Sequence, residues 1–271
     1  DFIHNQGYIS CCNITQISDK TTERLEELSC LLSNSKVDIL YFADSLGSST
    51  PKTIKNIVKA LKKNWKGQLG IHAHNNTGLA LSNTLQAIEC GVKWVDSTIT
   101  GIGRGPGNTH TEELIFELNQ NKCEPINNNL NLVPLIQIIN NHFLPMKNKY
   151  SWGTNIFYYL AGKYSIHPSY IQAMLKDYRY QEEDILASIN YLRDQGGKKF
   201  DYGDLDEARK FYKGKPKGEW DPKTIFKNRD VLIIGTGPEF KNHEKAVESF
   251  IKRTKPIVLA INTNKLNNND L

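Results

Sequence analysis

Two histidines separated by one residue, His72 and His74, stand in the run Gly70-Ile71-His72-Ala73-His74-Asn75-Asn76. An apolar approach, Leu69 to Ile71, precedes them, and Thr77-Gly78-Leu79-Ala80 opens a helical pattern after them. That order is a strand, a short loop and a helix. Side chains alternate faces along a strand with a period of two, so both imidazoles point the same way. Two imidazoles on one face can share a divalent ion. The alternative is a polar strand end that needs no metal.

The surrounding elements must hold that pair in place. Tyr8 to Cys12 is expected as a first strand, and Thr21 to Ser33 as a helix with Leu25, Leu28, Leu31 and Leu32 at helical spacing, capped by Ser18 or Asp19. Val37 to Ala43 is a near-continuous apolar run, the pattern of a strand buried on both faces. It ends in Asp44-Ser45-Leu46-Gly47, and a helix with Pro51 near its start carries Ile54, Ile57, Val58 and Leu61 on one side. The helix after the His strand stops at Gly91. Trp94 to Ile99 is a fourth strand, its loop is Thr100 to Asn108, and a helix starts at Thr111. Strand and helix thus alternate four times, the pattern of a parallel sheet covered by helices. The polar, Gly-rich segments all follow strands, and so gather at the C-terminal edge where α/β proteins build their sites. Periodicity alone leaves a barrel and an open doubly wound sheet both standing.

Composition narrows the functional classes. The chain has 271 residues, 39% hydrophobic and 23% charged, within the ordinary globular range. It opens on Asp1 rather than Met, as expected of a processed chain or a fragment. No apolar run approaches membrane-spanning length and no signal-peptide pattern is present. Five cysteines (Cys11, Cys12, Cys30, Cys90 and Cys123) lack metal-knuckle spacing, so reduced thiols and a cytoplasmic location are expected. The net charge of +5 is interspersed with acids, which argues against nucleic acid and fits a small anionic substrate.

Three motifs in order carry a family resemblance: Asp44-Ser45-Leu46-Gly47, His72-Ala73-His74-Asn75-Asn76-Thr77-Gly78-Leu79-Ala80 and Gly101-Ile102-Gly103-Arg104-Gly105-Pro106-Gly107-Asn108. Together they resemble the metal-dependent pyruvate aldolase and 3-hydroxy-3-methylglutaryl-CoA lyase superfamily, and within it the 4-hydroxy-2-oxovalerate aldolase type. The resemblance covers residues 7 to 120 closely and about 150 to 175 more loosely. It implies a (β/α)8 TIM barrel of which this chain carries strands five to eight, the C-terminal half. The family's Arg-Asp signature at the end of the first strand has no counterpart here. The catalytic Arg, and an Asp that ligates the metal, are therefore expected on a missing N-terminal half, and the isolated chain is expected to be inactive.

The resemblance also assigns roles. His72 and His74 become metal ligands, with Asn108 completing the shell or merely closing its Gly-rich loop. The metal is Mn, Mg or Zn. Ser45 matches a substrate-contacting position; Asp44 either orients a ligand or caps the next helix. Arg104 either pairs with a substrate carboxylate or faces solvent. Asn75, Asn76 and Thr77 are expected to cap the helix that follows. The segment Trp152 to Gly162 and His167-Pro168-Ser169-Tyr170 resemble the helical extension after the barrel, with Tyr158 or Tyr159 as a substrate contact or as packing. The implied reaction is aldol cleavage or condensation of a 2-oxo acid through a metal-stabilised enolate, in a homo-oligomer when full-length. Alternatives are an acyl-CoA-dependent Claisen synthase of the isopropylmalate or homocitrate type, and a non-catalytic scaffold. Biotin-dependent carboxyltransferases share the His pair but carry a Lys where this chain has Asp44-Ser45.

The expected organisation is a barrel half over residues 1–125, a helical extension over 126–195, a linker over 196–229 with a short helix near Leu205 to Tyr212, and the start of a Rossmann-like βαβ unit over 230–271. In the last, Asp230 to Pro238 is a strand and turn whose Gly235 and Gly237 could face a phosphate. Phe240 at the third glycine position, and Asn262 or Asn264 in place of a ribose-binding acid, argue against NAD.

Overall fold

The computed structural model describes residues 2–120, 131–210, 222–235 and 240–260. The chain forms two compact units, Asp1–Gly214 and Lys215–Leu271.

The first unit is built on a four-stranded parallel sheet whose spatial order follows the chain: β1 (Cys11–Ile14), β2 (Ile39–Asp44), β3 (Gln68–Ala73) and β4 (Trp94–Val95). A short helix, α1 (Phe2–Asn5), precedes it, and α2 (Thr22–Ser33), α3 (Pro51–Asn64) and α4 (Ala80–Glu89) make the crossovers. Alternation puts Leu40 and Phe42 of β2 and Leu69, Ile71 and Ala73 of β3 on one face. There they bury against Leu25 of α2, Ile54, Val58 and Leu61 of α3, and Ala80 and Ala87 of α4 in a single core. Each fully buried Leu, Ile or Phe contributes on the order of 1.5–3 kcal/mol. Because α2, α3 and α4 share that core, the sheet is singly wound. That excludes the doubly wound arrangement, which places helices on both faces. The opposite face carries Cys11, Asn13, Tyr41, Gly70, His72 and Trp94. Cys11, Asn13 and Trp94 on it are exposed.

Several boundaries depart from expectation for local reasons. The first strand begins at Cys11, and Tyr8 and Ile9 are exposed, because pairing with β2 starts only where Cys11 meets Ile39. The cap of α2 is Thr21, whose hydroxyl accepts from the Arg24 amide; Ser18 and Asp19 fall in or beside the preceding 3-10 turn Ile17–Asp19. The fourth strand is two residues long, since the chain leaves the sheet at Asp96 and turns at Ile99–Gly101. For α3 the reading holds, with Pro51 in the first turn and Thr50 as cap.

Beyond α5 (Thr111–Gln120), in which Leu114 is buried, α6 (Val133–Ile138) continues through a π-helical turn (Ile139–Phe143) into α7 (Leu144–Tyr150), and no residue from Val133 to Tyr150 is buried. A second core then forms from α8 (Ile156–Lys163), α9 (Pro168–Lys176), α10 (Glu182–Gln195) and α11 (Tyr202–Lys210), centred on Tyr170, Ile171, Met174 and Ile189. The stretch expected as linker therefore opens with packed structure: Leu205 and Ala208 are buried. In the second unit, α12 (Pro222–Phe226) precedes β5 (Val231–Ile234), α13 (Phe240–Thr254) and β6 (Ile257–Ala260), with β5 and β6 parallel.

Candidate active site

The C-terminal ends of β1 to β4 and the second helical core supply one cluster of polar side chains. His72 lies in β3, facing away from the helix-covered side, and His74 lies just past its end. Their rings are 4.8 Å apart and nearly perpendicular. Each ring has one nitrogen committed to an oxygen. His72 Nδ1 is 2.9 Å from Asp96 Oδ2, and His74 Nδ1 is 2.9 Å from the main-chain oxygen of Asp44. A carbonyl and a carboxylate accept, so Nδ1 carries a proton on both rings, and in the neutral form of each Nε2 carries a lone pair. That tautomer, oriented by an outer oxygen, is the one metal-ligating histidines adopt. Burial pushes the His74 pKa down to about 4, and the charges of His72, Arg104 and His167 add to the shift against the Asp44 hydrogen bond. His74 is therefore neutral at pH 7.

Asp96 is held in turn by the Tyr41 hydroxyl at 3.2 Å. Tyr41 reaches it by lying across β3 at Gly70, its register partner, where a Cβ would stand 2.5 Å from the phenol ring. Burial first, then Asp96, pushes the Tyr41 pKa up to about 12.

The Gly-rich loop from Gly101 to Asn108 closes over the histidines. The Asn75 amide donates to Gly107 O (2.9 Å), and Asn108 bridges to His74. Asn108 is buried, and its side-chain amide nitrogen donates to Ile102 O at 3.2 Å. The loop base is fixed by Glu112, whose carboxylate accepts from the Thr100 amide, and by Trp152, whose indole donates to Thr100 O. Arg104 is at the exposed tip and has no ion-pair partner among the described residues. Its charge nevertheless reaches His74, Tyr158 and His167.

The other expected residues divide. Ser45 is in the cluster, its Oγ accepting from the Gln16 amide at 2.9 Å. The buried carboxylate of Asp44 accepts from the Ser48 and Ser49 amides, so it organises the loop ahead of α3, whose cap is Thr50. Tyr158 is buried against Gly105, whose Cβ would lie 3.0 Å from the phenol oxygen. Tyr159, one residue on and about 100° around the helix, is exposed, with the Lys163 ammonium over its ring. Of the expected caps, Asn75 accepts from the Ala80 amide, whereas Asn76 is fully buried beneath Gly47 and Gly162. Gly235 follows β5 and is exposed; Gly237, Asn262 and Asn264 lie outside the described residues. Three residues were not expected at this end of the sheet: Asp96 bonds to His72, Gln16 joins Ser45 to Lys198, and His167 is near enough to act on the His74 pKa.

The donor set fits a divalent cation in part. Two imidazoles offer Nε2 lone pairs and Asn108 offers an oxygen, while no group of three or more His, Cys, Asp and Glu side chains gathers among the described residues. Further donors must come from substrate, water or another segment.

Residues 9–141 match the HMGL-like family model. A 4-hydroxy-2-oxovalerate aldolase of Carboxydothermus hydrogenoformans is 44% identical over 96 residues, 35% of this chain and 29% of that protein. One from Brevibacillus brevis is 30% identical over 175 residues, 65% of this chain and 51% of the relative. The chain thus spans about half or less of the curated relatives it matches. Among solved structures, the N-terminal domain of an aldolase candidate from Bacteroides vulgatus superposes with a TM-score of 0.56 at 32% identity, covering 64% of this chain and 56% of that one. Rhizobium etli pyruvate carboxylase superposes with a TM-score of 0.57 at 19% identity, over 77% of this chain and 22% of that one, a likeness of fold alone. Over residues 9–141, just under half of its length, the chain is therefore similar to HMGL-like domains.

Proposed function

We propose that the first unit is the metal-binding half of a divalent-metal-dependent aldolase or lyase acting on a 2-oxo acid, and that its four strands are strands five to eight of a (β/α)8 barrel. The observation that carries the reading is the shared tautomer of His72 and His74: both Nδ1 atoms are engaged by oxygen, so both Nε2 lone pairs remain for a cation. A bound divalent ion supplies Lewis-acid polarisation of the substrate carbonyl, which lowers the cost of the enolate that carbon–carbon cleavage forms.

The chain's own residues do the rest. Asp96 and the Asp44 carbonyl hold the two rings against rotation. Asn108 supplies an oxygen beside them. Arg104, with no ion-pair partner among the described residues, attracts the substrate carboxylate. Ser45 offers a hydroxyl at the mouth, and Tyr158 seals the loop against the helical layer and excludes water there. The enolate-stabilising Arg and a carboxylate ligand come from the remaining strands of the barrel, which a separate chain or a further segment supplies. We propose the cytoplasm as its location and a homo-oligomer as its assembled form.

The test is metal content and aldol cleavage of 4-hydroxy-2-oxo acids by the full-length protein. His72→Ala and His74→Ala each lose bound Mn2+ by elemental analysis and lose turnover. Asp96→Asn binds Mn2+ roughly 10–100-fold more weakly. Normal metal content in both His variants would remove the pair as ligands.

For the second unit we propose a phosphate-bearing ligand held by Gly235 and Gly237, supported by the order of β5, which ends at Ile234, and α13, which begins at Phe240. Calorimetry against a nucleotide panel tests it, and binding of NAD alone would overturn it.

A further inference from the structure

The helical layer brings a third imidazole to the same end of the sheet. His167 directly precedes α9, beside the fully buried Ile166. Its main-chain N–H donates to Gly197 O at 2.8 Å. The next carbonyl, Lys198 O, accepts from Gln16 Nε2 at 3.1 Å, and the Gln16 main-chain N–H donates to Ser45 Oγ. Ser45 adjoins Asp44, whose carbonyl holds His74. Covalent and hydrogen bonds therefore run without a break from His167 to the metal-type pair. The middle of that run is firm: Gln16 sits at φ 51°, ψ 48°, a left-handed conformation that costs a non-glycine residue on the order of 1 kcal/mol. Lys198 also pairs with Asp19 across the same junction.

The His167 ring is in the opposite tautomer to His72 and His74. Its Nδ1 accepts the Ser169 amide at 3.3 Å, so in the neutral ring the proton is on Nε2. Burial, then the nearby Arg104 charge, push its pKa below the usual histidine value, which keeps the ring neutral at pH 7. The cluster thus contains two rings that offer lone pairs and one that offers an N–H.

We propose that His167 is a substrate-binding residue of this site, whose neutral Nε2–H donates to the carboxylate that Arg104 attracts. The proposal rests on the 2-oxo acid reading given above. A carboxylate has about four lone-pair sites and one guanidinium fills at most two of them. A neutral donor fills another without placing a second positive charge beside Arg104 and the cation, which a lysine there would do.

The experiment uses full-length protein loaded with Mn2+ and oxalate as the probe, since oxalate presents the two adjacent oxygens and planar charge of a 2-oxo acid enolate. His167→Asn separates the two roles of the residue. Asparagine is a good N-cap and keeps the Ser169 bond, but it cannot reach as the imidazole does. Oxalate should bind about tenfold more weakly to the variant, a loss equal to one charge-assisted hydrogen bond, with Mn2+ content unchanged. In the wild-type protein, ring-nitrogen NMR should show the Nε2–H tautomer of His167, and oxalate should move that resonance. Equal oxalate affinity in variant and wild type, or an Nδ1–H tautomer, overturns the role of His167 and leaves the aldolase reading standing. A wild-type protein that binds Mn2+ but no oxalate overturns the 2-oxo acid reading and this inference with it.

Discussion

The main-chain oxygen of Asp44 accepts a 2.9 Å hydrogen bond from His74 Nδ1, so the last residue of β2 sets the tautomer of the imidazole that follows β3. The same residue turns its carboxylate the other way, onto the Ser48 and Ser49 amides. One residue therefore supports the candidate site with its backbone and the α3 entry loop with its side chain. Burial pushes the Asp44 carboxyl up, against those two amide bonds.

Asp44→Ala leaves the carbonyl that holds His74 and strips two amides of their acceptor. Leaving such groups unsatisfied costs about 1–3 kcal/mol. Urea unfolding should show that loss, while Mn2+ affinity changes little. A variant that keeps its stability but loses metal would place the Asp44 side chain in the site after all.

The depressed His74 pKa makes the metal-free protein acid-sensitive. The folded state resists protonating His74 until about pH 4, whereas the unfolded chain takes up that proton near 6.5. Between those values the unfolded state binds more protons, so this contribution is complete above pH 6.5 and is lost as the pH falls toward 4. The groups acting on the ring are the His72, Arg104 and His167 charges and the Asp44 carbonyl. The loss amounts to roughly 2–4 kcal/mol. Stability measured against pH should therefore be flatter in His74→Asn than in wild type over that window. Parallel curves would show that His74 titrates normally.

The parts of this site that were legible in the sequence are those built from neighbours along the chain. The apolar runs of β2 and β3, the Ile54, Ile57, Val58 and Leu61 face of α3 and the two-residue spacing of His72 and His74 are local patterns, and the fold keeps them. What stayed hidden depends on residues distant in sequence. Asp96 reaches His72 only because β4 ends after two residues and releases the chain. Gln16 and His167 carry no chemical motif, and they are joined through Lys198 and Gly197, whose carbonyls accept from Gln16 Nε2 and the His167 amide. The Tyr158-Tyr159 pair was ambiguous because an almost wholly apolar helix gives no phase to choose between adjacent side chains. The packing of residues 196–210 was hidden because Lys, Gly and Asp dominate that stretch, while a few residues, Phe200, Leu205 and Ala208 among them, supply its packed contacts.

Gly70→Ala tests how far the Tyr41–Asp96–His72 relay depends on its floor. A Cβ there would stand 2.5 Å from the Tyr41 ring, so the ring must move off β3. Overpacking of this kind costs about 1–3 kcal/mol. Displacing Tyr41 also frees Asp96, so Mn2+ affinity should fall along with stability in urea. In Tyr41→Phe, which keeps the ring and removes only the hydroxyl, affinity should fall with little loss of stability. Unchanged metal affinity in both variants would show that Asp96 orients His72 without help from Tyr41.

The last prediction concerns the uncovered face of the sheet. Among the described residues β1 and β4 each pair on one side only, and the face opposite the helices presents Tyr41, His72 and an exposed Trp94. Four parallel strands do not close a barrel of eight, and their free edges are templates for further pairing. If this unit is half of a barrel, the remaining strands must cover Trp94 and pair both edges. Trp94 is then a built-in reporter when read against Trp94→Phe, because Trp65 and Trp152 are buried and Trp220, the fourth tryptophan, is common to both proteins. In this chain alone, iodide should quench a tryptophan signal that the Trp94→Phe variant lacks. Adding the segment that completes the barrel, joined in one chain or as a separate one, should protect that signal and raise Mn2+ affinity together, because the same strands bring the absent carboxylate ligand. Protection of Trp94 by self-association of this chain, with no gain from the added segment, would instead make a second copy the natural cover of this face.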